Sequence, residues 1–325
     1  VSIVGVGTPF WDFVIRVMDD YLKAKGFEKG TMREVSHEVF VTLLKDFANP
    51  FTPSPGGSCL NTLKVLQALG NPCKVAGVVG TDEIAKFLRQ ELVQRGIETH
   101  LEEIKGETGQ LLCYVTPDGE RTMRNFFGVA HSMAQLEVEP SFFDGARLLH
   151  MDGYTFLYPG LCERVMQIAK SKGLIISFDL AVLSAPQMEE KELERLRHLL
   201  KEYVDIVFAN EVEASKFTGK EDPNSACLQI QTYCPHAIVT MGEEGGWVAD
   251  KQGIEHYSAV SVKDVVDTTG AGDLLVAGVL HRFLEGKSLL DGADLGTKLA
   301  AEVIQMTGAD LPPQKVREIL LQNNL

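Results

Sequence analysis

Apolar positions along the chain recur with two periods, and the switching between them sets out the predicted elements. Residues 1–6, Val1-Ser2-Ile3-Val4-Gly5-Val6, form a short apolar run of the kind that makes a buried strand, and Gly7-Thr8-Pro9 turns the chain so that Asp12 stands at its end. After Gly56-Gly57 the spacing becomes helical: Leu60, Leu63, Val65, Leu66 and Leu69 share one face, and Gly70-Asn71-Pro72 stops the helix. A strand over 74–79, a helix over 82–95 closed by Gly96 and a further extended segment follow. From residue 145 the alternation resumes, with strands over 147–151, 174–180, 204–209 and 237–241 and helices over 160–172 and 189–202. Two helices are expected after Asp273 and a third after Pro312-Pro313. Strand and helix in turn are the mark of a parallel sheet covered by helices.

Two stretches break this rhythm. Residues 18–53 show poor periodicity, interrupted by Gly26, Gly30, Pro50 and Pro53. Residues 106–127 carry short alternating runs on either side of Thr116-Pro117-Asp118-Gly119, which predicts a hairpin. Paired together, the two stretches would make a small sheet outside the main body. The expected organisation is therefore an α/β three-layer sandwich of residues 1–12, 54–105 and 128–325, with a β lid of 13–53 and 106–127.

Composition narrows the function. The 325 residues are 45% hydrophobic and 23% charged, an ordinary globular balance. With 31 basic against 45 acidic residues the formal charge is −14, which repels polyanions and offers no basic patch to nucleic acid or acidic lipid. The first residues lack the basic lead of a signal peptide, and no run reaches the length of a membrane span. The six cysteines, at 59, 73, 113, 162, 227 and 234, form no CxxC pair, so neither a disulfide framework nor a zinc site is expected. A reduced, cytoplasmic protein is the simplest expectation.

Four segments carry candidate chemistry. In Asp267-Thr268-Thr269-Gly270-Ala271-Gly272-Asp273, glycines free the backbone just before an apolar helix, so unpaired N–H groups and the helix dipole can hold a phosphoryl group while Asp273 accepts a proton. The plainer alternative is that Asp267 or Thr269 caps that helix. Asn210-Glu211-Val212-Glu213 sets an amide and a carboxylate three apart at a strand end, suited to the water shell of a phosphate-bound magnesium ion or simply to a capping box. Gly56-Gly57-Ser58-Cys59-Leu60-Asn61 opens a helix beside which Asn61 and Asp12 could hold hydroxyls, or is a tight loop capped by Ser58. Thr240-Met241-Gly242-Glu243-Glu244-Gly245 is a nucleotide-binding loop or a plain hairpin turn. The run ending Gly286-Lys287-Ser288 lacks the first glycine of a Walker A loop, Gly5-Val6-Gly7 lacks the third glycine of a dinucleotide fingerprint, and the eight histidines form no HExxH pair.

Taken in order, these segments resemble the PfkB, or ribokinase-like, family of sugar and nucleoside kinases along nearly the whole chain. The run ending in Asp273 is similar to the family's C-terminal signature and Gly56-Gly57-x-x-x-Asn61 to its N-terminal one; Asn210-x-x-Glu213 resembles its magnesium motif and Thr240-x-Gly242-x-x-Gly245 its ATP loop. One departure is Ala85, where members often carry a second glycine. The resemblance implies a ribokinase-like fold and the use of ATP and Mg²⁺. It assigns Asp273 as general base and Gly270, Ala271 and Gly272 as anion hole. Asp12, Gly57, Ser58 and Asn61 would contact the acceptor, and Asn210, Thr240, Gly242 and Gly245 ATP. Asn210 and Glu213 would organise Mg²⁺ through water, and a potassium ion could sit near Asp267 and Thr269. Gly56-Gly57-Ser58-x-x-Asn61-Thr62-x-Lys64-Val65 and Thr116-Pro117-Asp118-Gly119-Glu120-Arg121-Thr122-Met123 resemble adenosine kinase-like members, which favours adenosine as acceptor over a ribokinase- or fructokinase-like sugar. Trp11, Tyr154, Phe156 and Phe127 are candidate stacking surfaces for a base, or core residues. A monomer is expected, with a homodimer through the lid as the alternative. A function of another class, a ligand-binding sensor on a kinase fold, would lack turnover.

Overall fold

A computed structural model describes residues 2–47, 53–184 and 188–323. Val1 and the Pro50 break therefore lie outside the described residues. In chain order the elements run β1 (Ser2–Val6), β2 (Phe10–Arg16), α1 (Asp19–Ala24), β3 (Met32–Glu34), α2 (His37–Leu44), β4 (Ser54–Gly56), α3 (Ser58–Ala68), β5 (Cys73–Val79), α4 (Glu83–Gln94) and β6 (Glu98–Glu103). The hairpin β7 (Gln110–Val115) and β8 (Arg121–Phe126) follows, then β9 (Ala146–Met151), α5 (Leu161–Ser171), β10 (Ile175–Asp179), α6 (Glu190–Tyr203), β11 (Ile206–Asn210), α7 (Glu211–Thr218) and α8 (Pro223–Gln231). The chain closes with β12 (His236–Thr240), β13 (Gly246–Asp250), β14 (Gly253–Tyr257), α9 (Ala271–Leu284), α10 (Leu289–Val303) and α11 (Pro313–Asn323).

Nine strands form the main sheet in the order β14-β13-β12-β11-β10-β9-β1-β5-β6. It is parallel from β12 to β6, and only the β12-β13-β14 meander pairs antiparallel. Successive strand residues feed opposite cores, as a sheet covered on both faces requires. Ile3, Val75 and Leu148 pack with leucines of α3, α4, α9 and α10. Val4, Val78 and Leu149 pack with apolar residues of α5, α6, α7 and α8 on the other face.

The second sheet has the order β3-β8-β7-β2-β4, so the hairpin does pair with a strand from the 18–53 stretch. Two edges differ from expectation. Phe10–Asp12 and Ser54–Gly56 were placed in the main body, but both belong to strands of the smaller sheet, where Asp12 pairs with Ser54 and Leu111. Asp12 therefore sits mid-strand in β2 rather than at the end of β1. Pro9 lies between the two strands, and a three-residue turn is enough to pass the chain from one sheet to the other. Helices α1, α2 and α8 and strand β14 were not anticipated individually; α1 and α2 are only six and eight residues long, too short for a periodic signature.

Candidate functional site

The main sheet changes its direction of winding between β1 and β9: one branch runs outward through β5 and β6, the other through β10, β11 and β12. At such a point the loops leaving the carboxyl ends of adjacent strands part and open a crevice. Asp152 leaves β9 there, and α3 starts above it, with the Cys59 N–H donating to Asp152 at 3.2 Å. Gly57 precedes α3 at φ +102°, and a Cβ at that position would approach the Thr8 carbonyl oxygen to 2.5 Å, so the sharp entry into α3 demands glycine.

Asp273 lies where the N-termini of α3 and α9 meet. Its Oδ1 accepts the Ser58 hydroxyl at 2.6 Å and its Oδ2 the Asn61 amide at 2.9 Å, while Thr62 donates its hydroxyl to the Asp273 backbone carbonyl at 3.1 Å. Burial raises the Asp273 carboxyl above its ordinary range, opposed by the Ser58 and Asn61 hydrogen bonds and by the charges of Arg121 and Lys64. Both oxygens are thus oriented, and the proton affinity is higher than that of a free carboxylate.

The helix-cap alternative for the 267–273 run is not what the chain adopts. Asp267 accepts from the Thr269 N–H at 2.9 Å, the Thr269 hydroxyl at 2.6 Å and the Gly308 N–H at 2.7 Å, so it pins the loop and does not reach the helix. The N-cap of α9 is Gly270, at φ +79°, which brings no side-chain acceptor. A Cβ on Gly270 would collide with Ala309, whereas one on Gly272 would meet nothing within 4 Å. Gly270 is required by packing, and Gly272 leaves open space before a helix start that no side chain caps, the arrangement that suits an anion.

Asp12 faces this corner from the lid. A Cβ on Gly56 would fall onto its carboxylate, so the first glycine of the pair is what lets Asp12 lie flat against the chain. Asp12 Oδ1 and Asn61 Oδ1 are buried without hydrogen-bond partners among the described residues, two unpaired acceptors at this corner. Burial lifts the Asp12 carboxyl to about 7, opposed by Lys64 and reinforced by Asp273. Lys64, itself buried, donates to the Pro55 carbonyl at 2.7 Å and pairs with Asp310 at 3.4 Å; Arg95 holds Asp310 with two bonds of 2.7 Å.

The lid sheet has two unlike faces. Phe13 packs on Phe40 of α2 and Tyr114 on Tyr21 of α1, which marks the outer face. Residues in register with Asp12 and Val14 form the inner face; Cys113 lies 4.0 Å from the Thr269 hydroxyl, and Arg121 is close enough for its charge to act on Asp273.

On the other branch of the sheet, Asn210 and Thr240 end adjacent strands as register partners, which brings two of the motif positions side by side. The capping box is realised: the Asn210 N–H donates to Glu213 at 2.8 Å and the Glu213 N–H to Asn210 at 2.9 Å. The Thr240 loop is a hairpin turn joining β12 to β13. Gly245 is needed there because a Cβ would strike the Tyr257 carbonyl, whereas Gly242 opens onto free space. Among the described residues no three His, Cys, Asp or Glu side chains converge as a metal cage.

Three polar residues at the site went unsingled in the sequence. Asp152 and Asp179 stand at the carboxyl ends of β9 and β10; burial raises both, Asp152 to about 7, and Asp179 is pushed further by Glu213 and Asp273. Their signal is a carboxylate directly after an apolar strand. Arg121 was hidden because its facing depends on the register with Val115 across the hairpin. Of the four aromatics, Trp11 stacks on Phe87 on the outer side and Phe156 packs beneath Arg195. Tyr154, whose hydroxyl is raised by burial and then by the Asp152 and Asp179 charges, and Phe127, stacked on His131, stay half-buried.

The family described as pfkB family carbohydrate kinase matches residues 45–316. An aminoimidazole riboside kinase of Salmonella typhimurium is 26% identical over 251 residues, covering 74% of this chain and 77% of its own. A probable sugar kinase of Rhizobium etli superimposes with a TM-score of 0.87 at 27% identity, covering 99% of this chain and 98% of that one. An adenosine kinase of Sinorhizobium meliloti superimposes with a TM-score of 0.86 at 26% identity, covering 98% of both.

Proposed function

The chain belongs to the pfkB family of carbohydrate kinases and is thus a phosphotransferase with an alcohol acceptor; on that premise we propose that it moves the γ-phosphoryl group of ATP to a primary hydroxyl of a nucleoside or sugar, the 5′-hydroxyl of adenosine being favoured. The Asp273 carboxylate, held by Ser58 and Asn61 beside an uncapped helix start, supports this most directly. Asp12 and Asn61 accept from the acceptor's other hydroxyls and so hold the reacting one near Asp273. As its oxygen bonds to the γ-phosphorus and the bond to ADP breaks, Asp273 takes the hydroxyl proton.

The backbone N–H groups of the Gly270-Ala271-Gly272 helix start stabilise the negative charge on the transferring group, and Arg121 of the lid adds a positive charge. A magnesium ion, when bound, neutralises phosphate charge; Asn210 and Glu213 order its water, and Thr240, Gly242 and Gly245 border the nucleotide. A cavity of about 510 Å³ between Val260–Asp264, the end of α10 at Lys298, Ala301 and Glu302, and Ile319 of α11 suits the nucleotide's base. The Asp267 carboxylate is already satisfied by three donors, so a potassium ion here would rest on backbone carbonyls beside Thr269. A free sugar is the second acceptor class, favoured by the likeness to the Rhizobium etli protein.

A panel of nucleosides and sugars assayed for ATP-dependent phosphorylation tests the proposal. Asp273→Asn is expected to keep acceptor binding while kcat drops by about 10²–10⁴-fold, the usual worth of a positioned base. Turnover near that of the native protein would remove Asp273 from the role.

A further inference from the structure

Asn125 is 6% exposed, and its side-chain oxygen is buried with no hydrogen-bond partner among the described residues. It lies on β8 in register with Leu111 of β7, which is in register with Asp12 of β2. Residues paired in this way project from the same face of a sheet. Asn125, Leu111 and Asp12 therefore form a row across the inner face of the lid, over the crevice that holds Asp273. A buried carboxamide with an unpaired oxygen costs the free protein stability, and such a group is retained where a ligand completes its hydrogen bonds.

Resting on the kinase reading above, we propose that Asn125 is a specificity-determining residue of the acceptor site, reading the polar edge of a heterocycle attached to the acceptor's sugar. Two strand-to-strand steps separate it from Asp12, about 10 Å at the backbone. With Asp12 and Asn61 on the sugar hydroxyls, a single sugar ring does not extend to Asn125. An acceptor that does is sugar, flat ring and polar edge in line, and the row beneath it is carboxylate, Leu111 and carboxamide in the same order. A carboxamide offers one donor and one acceptor side by side, which matches a ring edge carrying an exocyclic amino group next to a ring nitrogen. Half-buried Met123, two residues before Asn125 on the same strand and face, sets an apolar side chain beside the carboxamide.

The test compares adenosine with purine riboside, which differs only in lacking the amino group, in the native protein, Asn125→Ala and Asn125→Leu. The native protein is expected to prefer adenosine at least 10-fold in kcat/KM, and both variants to bring that ratio close to one. Because Asn125 leaves an oxygen unpaired, neither variant should melt at a lower temperature than the native protein without ligand. A native ratio near one, an unchanged ratio in the variants, or a clear loss of thermal stability would overturn the inference. Calorimetric titration of the two nucleosides reads the same ratio as affinities. The inference can thus fail while sugar phosphorylation continues, and it can be judged if turnover is absent.

Discussion

At the scale of single residues, the acceptor corner is governed by how many carboxyl groups are buried close together. Asp12, Asp152, Asp179 and Asp273 are all raised, in each case chiefly by burial, and the charge of Asp273 raises the other three further. Lys64 is the main group opposing burial at Asp12. The sign of the resulting pH dependence follows. On the proposed reading Asp12 accepts the acceptor's hydroxyls, which it does best when ionised, and burial lifts its carboxyl to about 7, so kcat/KM for the acceptor should fall as pH drops through that value. Replacing Lys64 by Met removes the favourable charge, and the acid limb should move upward by about one pH unit or more, while KM for ATP stays as it was. The pH profile of kcat/KM in the two proteins checks this; coincident profiles would show that Lys64 acts on Asp12 only as packing. A second consequence concerns stability. A carboxyl whose pKa is raised on folding contributes stability that is full below the unfolded value of 3.8 and is lost as pH rises through the folded one. The protein without ligand should therefore melt at a lower temperature at pH 8 than at pH 6, and Asp152→Asn, at a site raised to about 7, should narrow that gap.

At the scale of elements, α9 carries Asp273 and the helix start, so whatever sets its position sets the site. Its partner α10 approaches at backbone distance. A Cβ on Gly278 would collide with Gly296, one on Gly292 would come to 2.7 Å from the Val279 Cα, and one on Gly296 to 2.7 Å from the Leu275 carbonyl oxygen. Side chains introduced there have only backbone to push against. Gly278→Leu is expected to cost about 1–3 kcal/mol, as overpacking does, and to shift Asp273 enough to lower kcat by about 10²-fold. Thermal melting and kcat together check it; a fully active variant would show that α9 is held by its N-terminal bonds to α3 alone. These glycines, spaced for close contact, were visible in the sequence but carried no meaning without the partner helix. The strand-helix alternation, by contrast, was legible through most of the main body, α8 and the edge strand β14 excepted, because most elements there are long enough to show their period and cover both faces of one sheet. The site was legible where it is local: the 267–273 run, Gly56-Gly57 through Asn61 and Asn210 to Glu213 each act within one turn of chain. Asp152 and Asp179 carried only a faint local mark, a carboxylate directly after an apolar strand, and Arg121 and Asn125 none, since what they face is decided by the register of the β7-β8 hairpin.

At the scale of the whole molecule, the lid is more than a flap of paired strands. The 18–53 stretch that looked irregular supplies α1 and α2, and these bury the outer face of the lid sheet: Leu22 and Phe40 are fully covered, Tyr21, Phe27 and Phe47 ring Tyr114, and Arg124 stacks on Phe27 at 4.0 Å. A second copy would find no open apolar face there to cover. The edge strand β3 is three residues long with every residue exposed, and two of them, Arg33 and Glu34, are charged, a poor template for adding another strand. Among the described residues the outer face and the β3 edge of the lid sheet are thus poor surfaces for pairing two subunits, and the protein is expected to sediment as a single species of one-chain mass at micromolar concentration, with or without nucleotide. The same covering makes a second, independent expectation. Phe40 fills the outer layer beneath Phe13 and Phe126, so Phe40→Asp should expose that layer and produce association together with loss of acceptor affinity, because β2 carries Asp12 on its other face. A native protein that sediments as a stable dimer would mean that some surface other than the lid pairs the subunits, and a Phe40→Asp variant that stays monomeric with unchanged acceptor KM would show that the outer helices do not support the acceptor wall.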